Sequence, residues 1–443
     1  MNSKDQQNNR ILIVSPAAYP LGGVAVWLDY LLTGFSQSEL DVHLALADGH
    51  FHNASSYLQR YPYAQTVRLD NPAGTQYGRV EAIISAVRKL DPALLVSVNI
   101  PDVYRAARTL RATSHAGLKV VGTVHGLEPQ IFKDLDHYSD AIDQVIVTNR
   151  LTEEMLAELT GIEAKQISYA PYGVQVGDRA REYDTKCLRL LYCGRIEESQ
   201  KRCSHIVEIV KQLELKQLDY VLRIAGDGPD KNRFLADLTK FASAERIKYL
   251  GALSAQELQV KGYGESDILL LTSEWETGPI VAWEAMAAGL VVVCSRYFGL
   301  VCEGALKHRH NCLIFDQGDA KAATESLSSL SDPELFGKLI QNGFALVRQR
   351  YSRETSIVAW KRCFTAVLGA ESVRRAPAPQ TDAIATHGRL ESFFGQALAT
   401  RIRELIRKPA YIGDAGDEWP HSFMQADSSY IKRFDKTLRE LES

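Results

Sequence analysis

The chain has 443 residues, of which 45% are hydrophobic and 24% charged, and its formal net charge is −3. This composition is typical of a soluble globular enzyme, and the length suits two domains with an additional segment. The weak negative charge gives no basic field for nucleic acid, and no apolar run has the length of a membrane span. The polar stretch 1–10 lacks a signal-peptide core, and the seven cysteines show no paired metal spacing. We therefore expect a cytoplasmic protein with no structural metal and no nucleic-acid partner.

The first part of the chain alternates short apolar runs with stretches of helical periodicity. Ile11 to Ser15 predicts a strand, residues 16–23 predict a loop, and Val24 to Phe35 predicts a helix. Four further strands are predicted, with helical stretches between them: Val42 to Ala47, Leu94 to Val98, Val120 to Val124 and Gln144 to Thr148. This alternation predicts an α/β fold with a doubly wound parallel sheet.

A second set of strands begins near Leu188. Its predicted members are Leu188 to Cys193, Tyr220 to Ala225, Ile247 to Leu250, Ile268 to Leu271 and Val291 to Cys294. Two such sets predict two facing α/β domains, residues 1–175 and 176–355, with a cleft between them. Tyr351 to Leu368 predicts a closing helix, residues 371–387 a linker, and residues 388–443 a C-terminal extension.

Seven residues lie between two glutamates, Glu276 and Glu284, and the predicted structure changes from loop to helix within them. The run Ile268 to Leu271 predicts a strand, Gly278-Pro279 breaks the pattern, and Ile280 to Ala288 has helical spacing. Ligands of open α/β sheets bind at this end of the strands. A loop carboxylate, a helix carboxylate and a helix N-terminus can together hold a polyhydroxylated anion. The alternative is that neither glutamate binds a ligand: Glu276 is solvated, and Glu284 is a residue near the helix N-terminus, where the helix macrodipole favours a carboxylate.

The strand, the Gly-Pro turn and the segment Glu284-Ala285-Met286-Ala287-Ala288-Gly289 together resemble the donor-site signature of retaining glycosyltransferases of family 4. The resemblance covers Ile11 to Leu368 and implies the GT-B fold. It implies that 1–175 is the acceptor-side domain, that 176–355 binds the nucleotide-sugar, and that a closing helix, 356–370, crosses back to the N-terminal domain. By position, Glu276 would contact donor-sugar hydroxyls and Glu284 the ribose, with Gly278, Pro279 and Ile280 also binding the donor. Many relatives have Gly-Phe-Gly where this chain has Thr277-Gly278-Pro279, which leaves the donor's identity open.

Two motifs of the first domain acquire roles from the resemblance. Paired glycines in Leu21-Gly22-Gly23-Val24 let a backbone approach a phosphate or an acceptor closely, although many strand-to-helix turns need glycine for shape alone. The resemblance places Gly22 and Gly23 beside the donor phosphates and the acceptor. It places His125, at the end of a predicted strand, against the donor sugar and pyrophosphate; a lone histidine is otherwise more often structural.

Basic side chains follow the first strand of the second domain. Arg195 follows this strand after Gly194, and Lys201 follows in the next loop or helix start. An arginine and a lysine that converge on one pocket would stabilise a diphosphate leaving group, whereas such residues are also common on surfaces. The family has Gly-Arg and then Lys-Gly, and this chain has Lys201-Arg202, so either residue can occupy the position. Gly226 resembles a turn near the nucleotide base, with a plain β-turn as the alternative.

The resemblance implies transfer of a hexose with retention from a UDP- or GDP-sugar to a saccharide or lipid-linked acceptor, in cell-surface or extracellular polysaccharide or glycoconjugate synthesis. It assigns catalysis to four residues: His125, Arg195, Lys201 and Glu276. No Asp-x-Asp motif stands in a suitable loop, so we expect no metal and no cofactor besides the donor. The alternative is a catalytically weak sugar-nucleotide-binding subunit of a glycosyltransferase complex. A homo-oligomer is a further hypothesis.

The extension contains an amphipathic pattern over residues 389–408. Apolar residues recur at roughly helical spacing, and Arg401, Arg403, Arg407 and Lys408 follow toward the end. A basic amphipathic helix can lie on an anionic membrane, which would make the protein peripheral at the inner face. The alternative is that this helix packs on the protein's own surface or on another subunit.

Overall fold

The computed structural model describes residues 9–17, 23–36, 38–48, 53–177, 187–371, 388–410 and 426–442. Gly22 and almost all of the predicted linker 371–387 lie outside these ranges. The chain forms two compact units. Unit 1 comprises Met1–Thr148, Thr152–Ala170 and Ile357–Thr437, and unit 2 comprises Asn149–Leu151, Pro171–Ser356 and Leu438–Ser443.

Unit 1 contains a seven-stranded parallel sheet. Its strands are β1 (Arg10–Pro16), β2 (Asp41–Ala47), β3 (Thr66–Arg68), β4 (Leu94–Val98), β5 (Lys119–Val124), β6 (Gln144–Val147) and β7 (Ile167–Tyr169). They are arranged in the order β3-β2-β1-β4-β5-β6-β7, and all neighbours pair in parallel. The helices of this part are α1 (Gly23–Phe35), α2 (Ala54–Arg60), α3 (Gln76–Leu90), α4 (Asp102–Thr113), α5 (Pro129–His137) and α6 (Arg150–Leu159).

Unit 2 contains a six-stranded parallel sheet in the order β10-β9-β8-β11-β12-β13. Its strands are β8 (Leu188–Cys193), β9 (Tyr220–Ala225), β10 (Ile247–Gly251), β11 (Ile268–Leu271), β12 (Val291–Ser295) and β13 (Leu313–Phe315). Its helices are α7 (Cys203–Leu215), α8 (Lys231–Leu238), α9 (Ala255–Glu257), α10 (Ile280–Ala287), α11 (Leu300–Glu303), α12 (Ala320–Ser329) and α13 (Pro333–Arg350). Apolar clusters cover both faces of this sheet.

Three helices complete the described chain: α14 (Arg353–Gly369), α15 (Arg389–Ile406) and α16 (Ser428–Leu441). Helix α14 begins in unit 2 and continues in unit 1 from Ile357 onward. Within the described ranges, no helix combines the length and the apolar character needed to cross a membrane.

The central strands follow from continuous apolar runs. In β11 and β12 every residue is buried, as expected for parallel strands that are covered on both faces. These long runs are the strands that the sequence predicts, and the structure confirms them within one or two residues at each end. Strands β3, β7 and β13 were not predicted from the sequence; they have three residues each and are the edge strands at three of the four sheet edges.

The strand order sets where each unit can bind a ligand. In unit 1 the order reverses between β1 and β4, and in unit 2 it reverses between β8 and β11. At such a point the connections leave toward opposite faces of the sheet and open a crevice beyond the carboxyl ends of the two strands. The segments that follow β1, β4, β8 and β11 therefore carry the side chains to consider.

Candidate active site

In unit 2, the segments after β8 and β11 bring together two of the predicted site residues. Lys201 Nζ lies 2.7 Å from Glu276 Oε1. The side chains are 15% and 7% exposed, respectively, so this ion pair is largely shielded from solvent. A buried carboxylate without a counter-charge is costly, and Lys201 offsets that cost for Glu276.

The backbone of Lys201 is fixed from two sides. The buried Glu197 carboxylate accepts hydrogen bonds from the backbone N–H groups of Gln200 (3.0 Å) and Lys201 (3.1 Å). Thr272 Oγ1, just beyond β11, donates to the Lys201 carbonyl oxygen at 2.9 Å. The loop is thereby tied to the end of β11, which directs the ammonium group onto Glu276.

Glu276 is also held in place, by its own loop after β11 and by the loop after β12. Ser273 Oγ donates to Glu276 Oε1 at 2.5 Å, and the Glu276 backbone N–H donates to the Phe298 carbonyl oxygen at 3.0 Å. Gly299 has φ +104°, and a Cβ atom there would overlap the carbonyl oxygen of Glu276. Glycine is therefore required at Gly299 for both its φ angle and its close approach to the Glu276 loop.

The structure distinguishes Lys201 from Arg202, which the sequence leaves open. Arg202 adopts φ +49° at the start of α7, and its Nε lies 2.8 Å from Glu274 Oε2. The two neighbouring cations therefore pair with different carboxylates. Lys201 is the one that lies beside Glu276.

Arg195 and Gly226 lie on neighbouring turns at the carboxyl ends of β8 and β9. The side chain of Arg195 is exposed, and its carbonyl oxygen accepts a 2.7 Å hydrogen bond from the buried Tyr192 hydroxyl. Gly226 has φ +147°, and a Cβ atom there would overlap the carbonyl oxygen of Gly194. Gly226 thus has a steric reason to be glycine, whatever its part in nucleotide binding.

The predicted turn before α10 is present. Gly278 has φ +111°, Pro279 is the N-cap residue, and Ile280 opens the helix. Glu284, one turn further, accepts a 2.7 Å hydrogen bond from the Tyr263 hydroxyl. Burial raises the pKa of the Glu284 carboxyl, and this hydrogen bond acts in the opposite direction.

In unit 1, Gly23 begins α1, whereas Gly22 lies outside the described residues. His125 follows β5 and is buried, and its Nε2 lies 2.9 Å from Thr123 Oγ1. Its ring lies against the Trp27 ring (4.4 Å between centroids) and parallel to the more distant Trp360 ring (6.4 Å).

Asn99, at the end of β4, is a polar residue that the sequence analysis did not single out. It has φ +50°, and its Oδ1 accepts a hydrogen bond from the His125 backbone N–H at 3.3 Å. Its Nδ2 is buried and has no hydrogen-bond partner among the described residues. A strained backbone and an unsatisfied buried donor at one residue, next to the point where the strand order reverses, are typical of a ligand-binding position.

Burial lowers the pKa of the His125 imidazole from 6.5 to about 3. The folded protein therefore keeps this ring neutral under conditions where the unfolded chain binds a proton. The contribution of His125 to the unfolding free energy should decrease by about 1.4 kcal/mol per pH unit as the pH falls from 6.5 toward about 3, because only the unfolded state takes up that proton.

Urea unfolding of the wild type and of His125→Gln across this pH range measures the effect. The free-energy difference between the two proteins should change with pH in favour of the variant as the solution is acidified. Parallel curves would contradict the neutral, buried imidazole.

Comparison with known proteins identifies the family. Residues 21–177 match the model of Glycosyltransferase Family 4, and residues 179–345 match the model of Glycosyl transferases group 1. The chain belongs to glycosyltransferase family 4. The sequence-based family assignment and fold class are confirmed.

Solved structures with a similar fold have the GT-B architecture. HepE of Anabaena, solved in complex with UDP and glucose, superimposes with a TM-score of 0.65 at 15% identity over 81% of this chain and 99% of that one. Sucrose-phosphate synthase of Thermosynechococcus elongatus gives a TM-score of 0.67 at 18% identity, over 81% of this chain and 98% of that one. At these identities the likeness establishes the fold.

Curated relatives of the family include enzymes with different names. An exopolysaccharide phosphotransferase of Streptomyces coelicolor is 24% identical over 82% of this chain and 38% of its own length. The N-acetyl-alpha-D-glucosaminyl L-malate synthase of Bacillus anthracis is 24% identical over 38% of this chain and 43% of its own length. The chain thus spans about two fifths of these two relatives. The uncharacterized glycosyltransferase YqgM of Bacillus subtilis is 22% identical over 80% of this chain and 98% of its own length.

Several supporting residues have weak sequence signals. Glu197, Ser273 and Tyr263 hold Lys201, Glu276 and Glu284, respectively. Glu197 and Ser273 could have been suspected because they follow the carboxyl ends of β8 and β11. Nothing in the sequence pattern indicates Tyr263. Among the described residues, no three His, Cys, Asp or Glu side chains come together in a way that could hold a metal ion.

Proposed function

We propose that the protein is an active, retaining glycosyltransferase that moves a sugar from a nucleoside-diphosphate sugar to a saccharide or lipid-linked acceptor. The observation that carries this proposal is the shielded Lys201–Glu276 pair beside the β8–β11 reversal of the unit 2 sheet. A cation and a carboxylate at such a point suit a ligand that has both phosphate and hydroxyl groups.

The donor half of the reaction is assigned to unit 2. Glu276 accepts hydrogen bonds from sugar hydroxyls, and Glu284 holds the ribose. Lys201 and Arg195 bind the diphosphate, assisted by the N-terminus of α10 at Gly278, Pro279 and Ile280, and Gly226 forms the turn near the base. The sequence positions of the family signature and the geometry of Lys201, Glu276 and Glu284 support this assignment.

The acceptor half is assigned to unit 1, with Gly22, Gly23 and His125 beside the phosphates and the reacting sugar. The His125 ring would orient a hydroxyl or a phosphate oxygen as a neutral hydrogen-bonding group, because burial lowers its pKa to about 3. The diphosphate leaves on the face from which the acceptor attacks. Stabilisation of its charge by fixed cations is the main source of rate acceleration.

We further propose that the reaction needs no divalent metal, because Lys201 and Arg195 supply the positive charge at the leaving group. Purified protein is incubated with UDP- and GDP-hexoses and oligosaccharide or lipid-linked acceptors, and release of the nucleoside diphosphate is followed with and without EDTA. The product's anomeric configuration is read by NMR. Retention of configuration and EDTA-resistant turnover are expected.

Turnover abolished by EDTA and restored by Mn²⁺ would contradict metal independence, and an inverted anomeric centre would contradict the mechanism. A thermal shift with UDP or GDP but no turnover with any acceptor would favour the alternative function, a sugar-nucleotide-binding subunit of a complex.

The exopolysaccharide activity named for the Streptomyces relative supports a role in polysaccharide or glycoconjugate synthesis. UDP is the first nucleotide to test, since HepE was solved with UDP.

A further inference from the structure

Helix α15 carries a concentration of exposed apolar side chains. Phe393 and Leu405 are 82% and 83% exposed, and Phe394, Leu398 and Ile406 are about half exposed. We call these five residues the α15 patch. Scattered single apolar residues are normal on a surface, whereas five on one helix indicate an interaction site.

The opposite side of α15 already fixes the helix to unit 1. Ala399 is fully buried, and the hydroxyl groups of Thr400 and Thr75 form a 2.9 Å hydrogen bond. The buried Glu391 carboxylate pairs with Arg403 at 2.6 Å. Packing on the protein's own surface therefore uses this inner side and leaves the α15 patch exposed.

A kink divides the helix within the patch. Gly395 has φ +71° and ψ +166°, which lie outside the helical region and favour glycine. A Cβ atom at Gly395 would have open space around it, so the glycine serves the backbone angle and no close packing. The patch thus has two parts, with Phe393 and Phe394 before the kink and Leu398, Leu405 and Ile406 after it.

The charges around the patch are mostly positive. Arg389, Arg401, Arg407 and Lys408 are exposed on α15 or directly after it, and Glu404 is the exposed acidic residue of this segment. The chain as a whole has a net charge of −3, so this positive charge is local. Apolar side chains framed by arginine and lysine complement an anionic lipid surface, where rings and leucines enter the acyl boundary and cations meet the phosphates.

We propose that the α15 patch docks the protein on the surface of an anionic lipid bilayer. An association of two copies through the same patch would bring the four cations of each copy against those of the other, which disfavours that occupant. The proposal does not depend on the reaction proposed above, because it rests only on the exposure and charge of α15.

Flotation of the full chain with vesicles tests the proposal. Vesicles of phosphatidylcholine and phosphatidylglycerol in equal amounts are compared with vesicles of phosphatidylcholine alone. The patch variant is Phe393→Ser/Phe394→Ser/Leu405→Ser, and the charge variant is Arg401→Glu/Lys408→Glu. The control is Leu215→Ser/Val260→Ser/Val358→Ser, which removes three other apolar side chains that are 69%, 62% and 67% exposed.

The wild type and the control should float with the anionic vesicles, and each α15 variant should bind them at least about tenfold more weakly. Thermal unfolding should be unchanged in all three variants, since only exposed side chains are altered. A wild type that does not float, or α15 variants that bind like the control, would overturn the proposal. The proposal would also be overturned if light scattering showed a wild-type dimer that the patch variant abolishes, while the wild type did not bind vesicles. Donor turnover in vesicle-free solution is measured in parallel, so failure of the proposed reaction is read separately.

Discussion

Lys201→Met should reduce glycosyl transfer by about a hundredfold or more, because it removes a cation that we assign to the leaving diphosphate. It should also destabilise the protein by about 3 kcal/mol, because it leaves the shielded Glu276 carboxylate without its counter-charge. Glu276→Gln should reduce the transfer rate and the unfolding free energy by similar amounts, since the ammonium group of Lys201 then lacks its carboxylate. Stability loss alone could lower activity, so single variants do not separate the two effects.

The double variant Lys201→Met/Glu276→Gln separates them. Because neither charge remains, its unfolding free energy should recover to within about 1 kcal/mol of the wild type. Its transfer rate should stay as low as that of the single variants, since both donor contacts are lost. Urea unfolding and initial rates of nucleoside diphosphate release measure the two quantities.

The matched control is Arg202→Met at the adjacent position. Arg202 pairs with Glu274, and these side chains are 35% and 26% exposed, so the loss of this pair should cost about 1 kcal/mol or less. Its transfer rate should stay within about threefold of the wild type. If the double variant regained activity together with stability, the Lys201–Glu276 pair would be structural and its assigned role in the reaction wrong.

Gly226→Ala should destabilise the protein by about 3 kcal/mol or more. A methyl group at Gly226 overlaps the carbonyl oxygen of Gly194, and the backbone angle φ +147° is one that alanine rarely adopts. The overlapping group is a backbone carbonyl, so the rotation of a side chain cannot relieve the overlap. Because Gly194 immediately precedes Arg195, a shift there should also weaken donor binding.

Gly251→Ala is the control for backbone strain alone. Gly251 has φ +74°, its carbonyl oxygen accepts a hydrogen bond from the Gly226 N–H, and a Cβ atom there has no neighbour within 4 Å. It should cost about 1–2 kcal/mol from the left-handed conformation. Urea unfolding ranks the two variants, and equal costs would show that the overlap at Gly194 relaxes freely. Titration of both variants with UDP by calorimetry measures how strongly each one still binds at the proposed donor site.

Much of the fold was predictable because the central strands are long apolar runs. Leu94–Val98, Leu188–Cys193 and Ile268–Leu271 were predicted with the observed bounds. The edge strands could not be predicted in the same way. Thr66–Arg68 is largely exposed and has three residues, too few for a pattern to appear.

The candidate site was predictable at the level of its signature. Glu276, Gly278 and Glu284 stand at a strand-to-helix turn, and that turn can be recognised from residue order. The residues that hold this turn in place could not be predicted. Tyr263 meets Glu284 from a segment that precedes β11, and Phe298 holds Glu276 from the loop after β12. Such contacts depend on which strands are neighbours in the sheet, and sequence spacing carries no record of that order.

By itself the sequence determined two α/β sheets, the turn that carries Glu276 and Glu284, and the amphipathic character of residues 389–408. These features follow from local periodicity and from residues such as Gly278 and Pro279 that restrict the backbone on their own. Only the tertiary structure decided that Lys201, and not Arg202, lies against Glu276, and which side of α15 stays exposed. Adjacent residues point in different directions, and which one meets a distant partner depends on the φ angle at Arg202 and on strand order. Neither quantity is contained in a pattern of hydrophobic and charged residues.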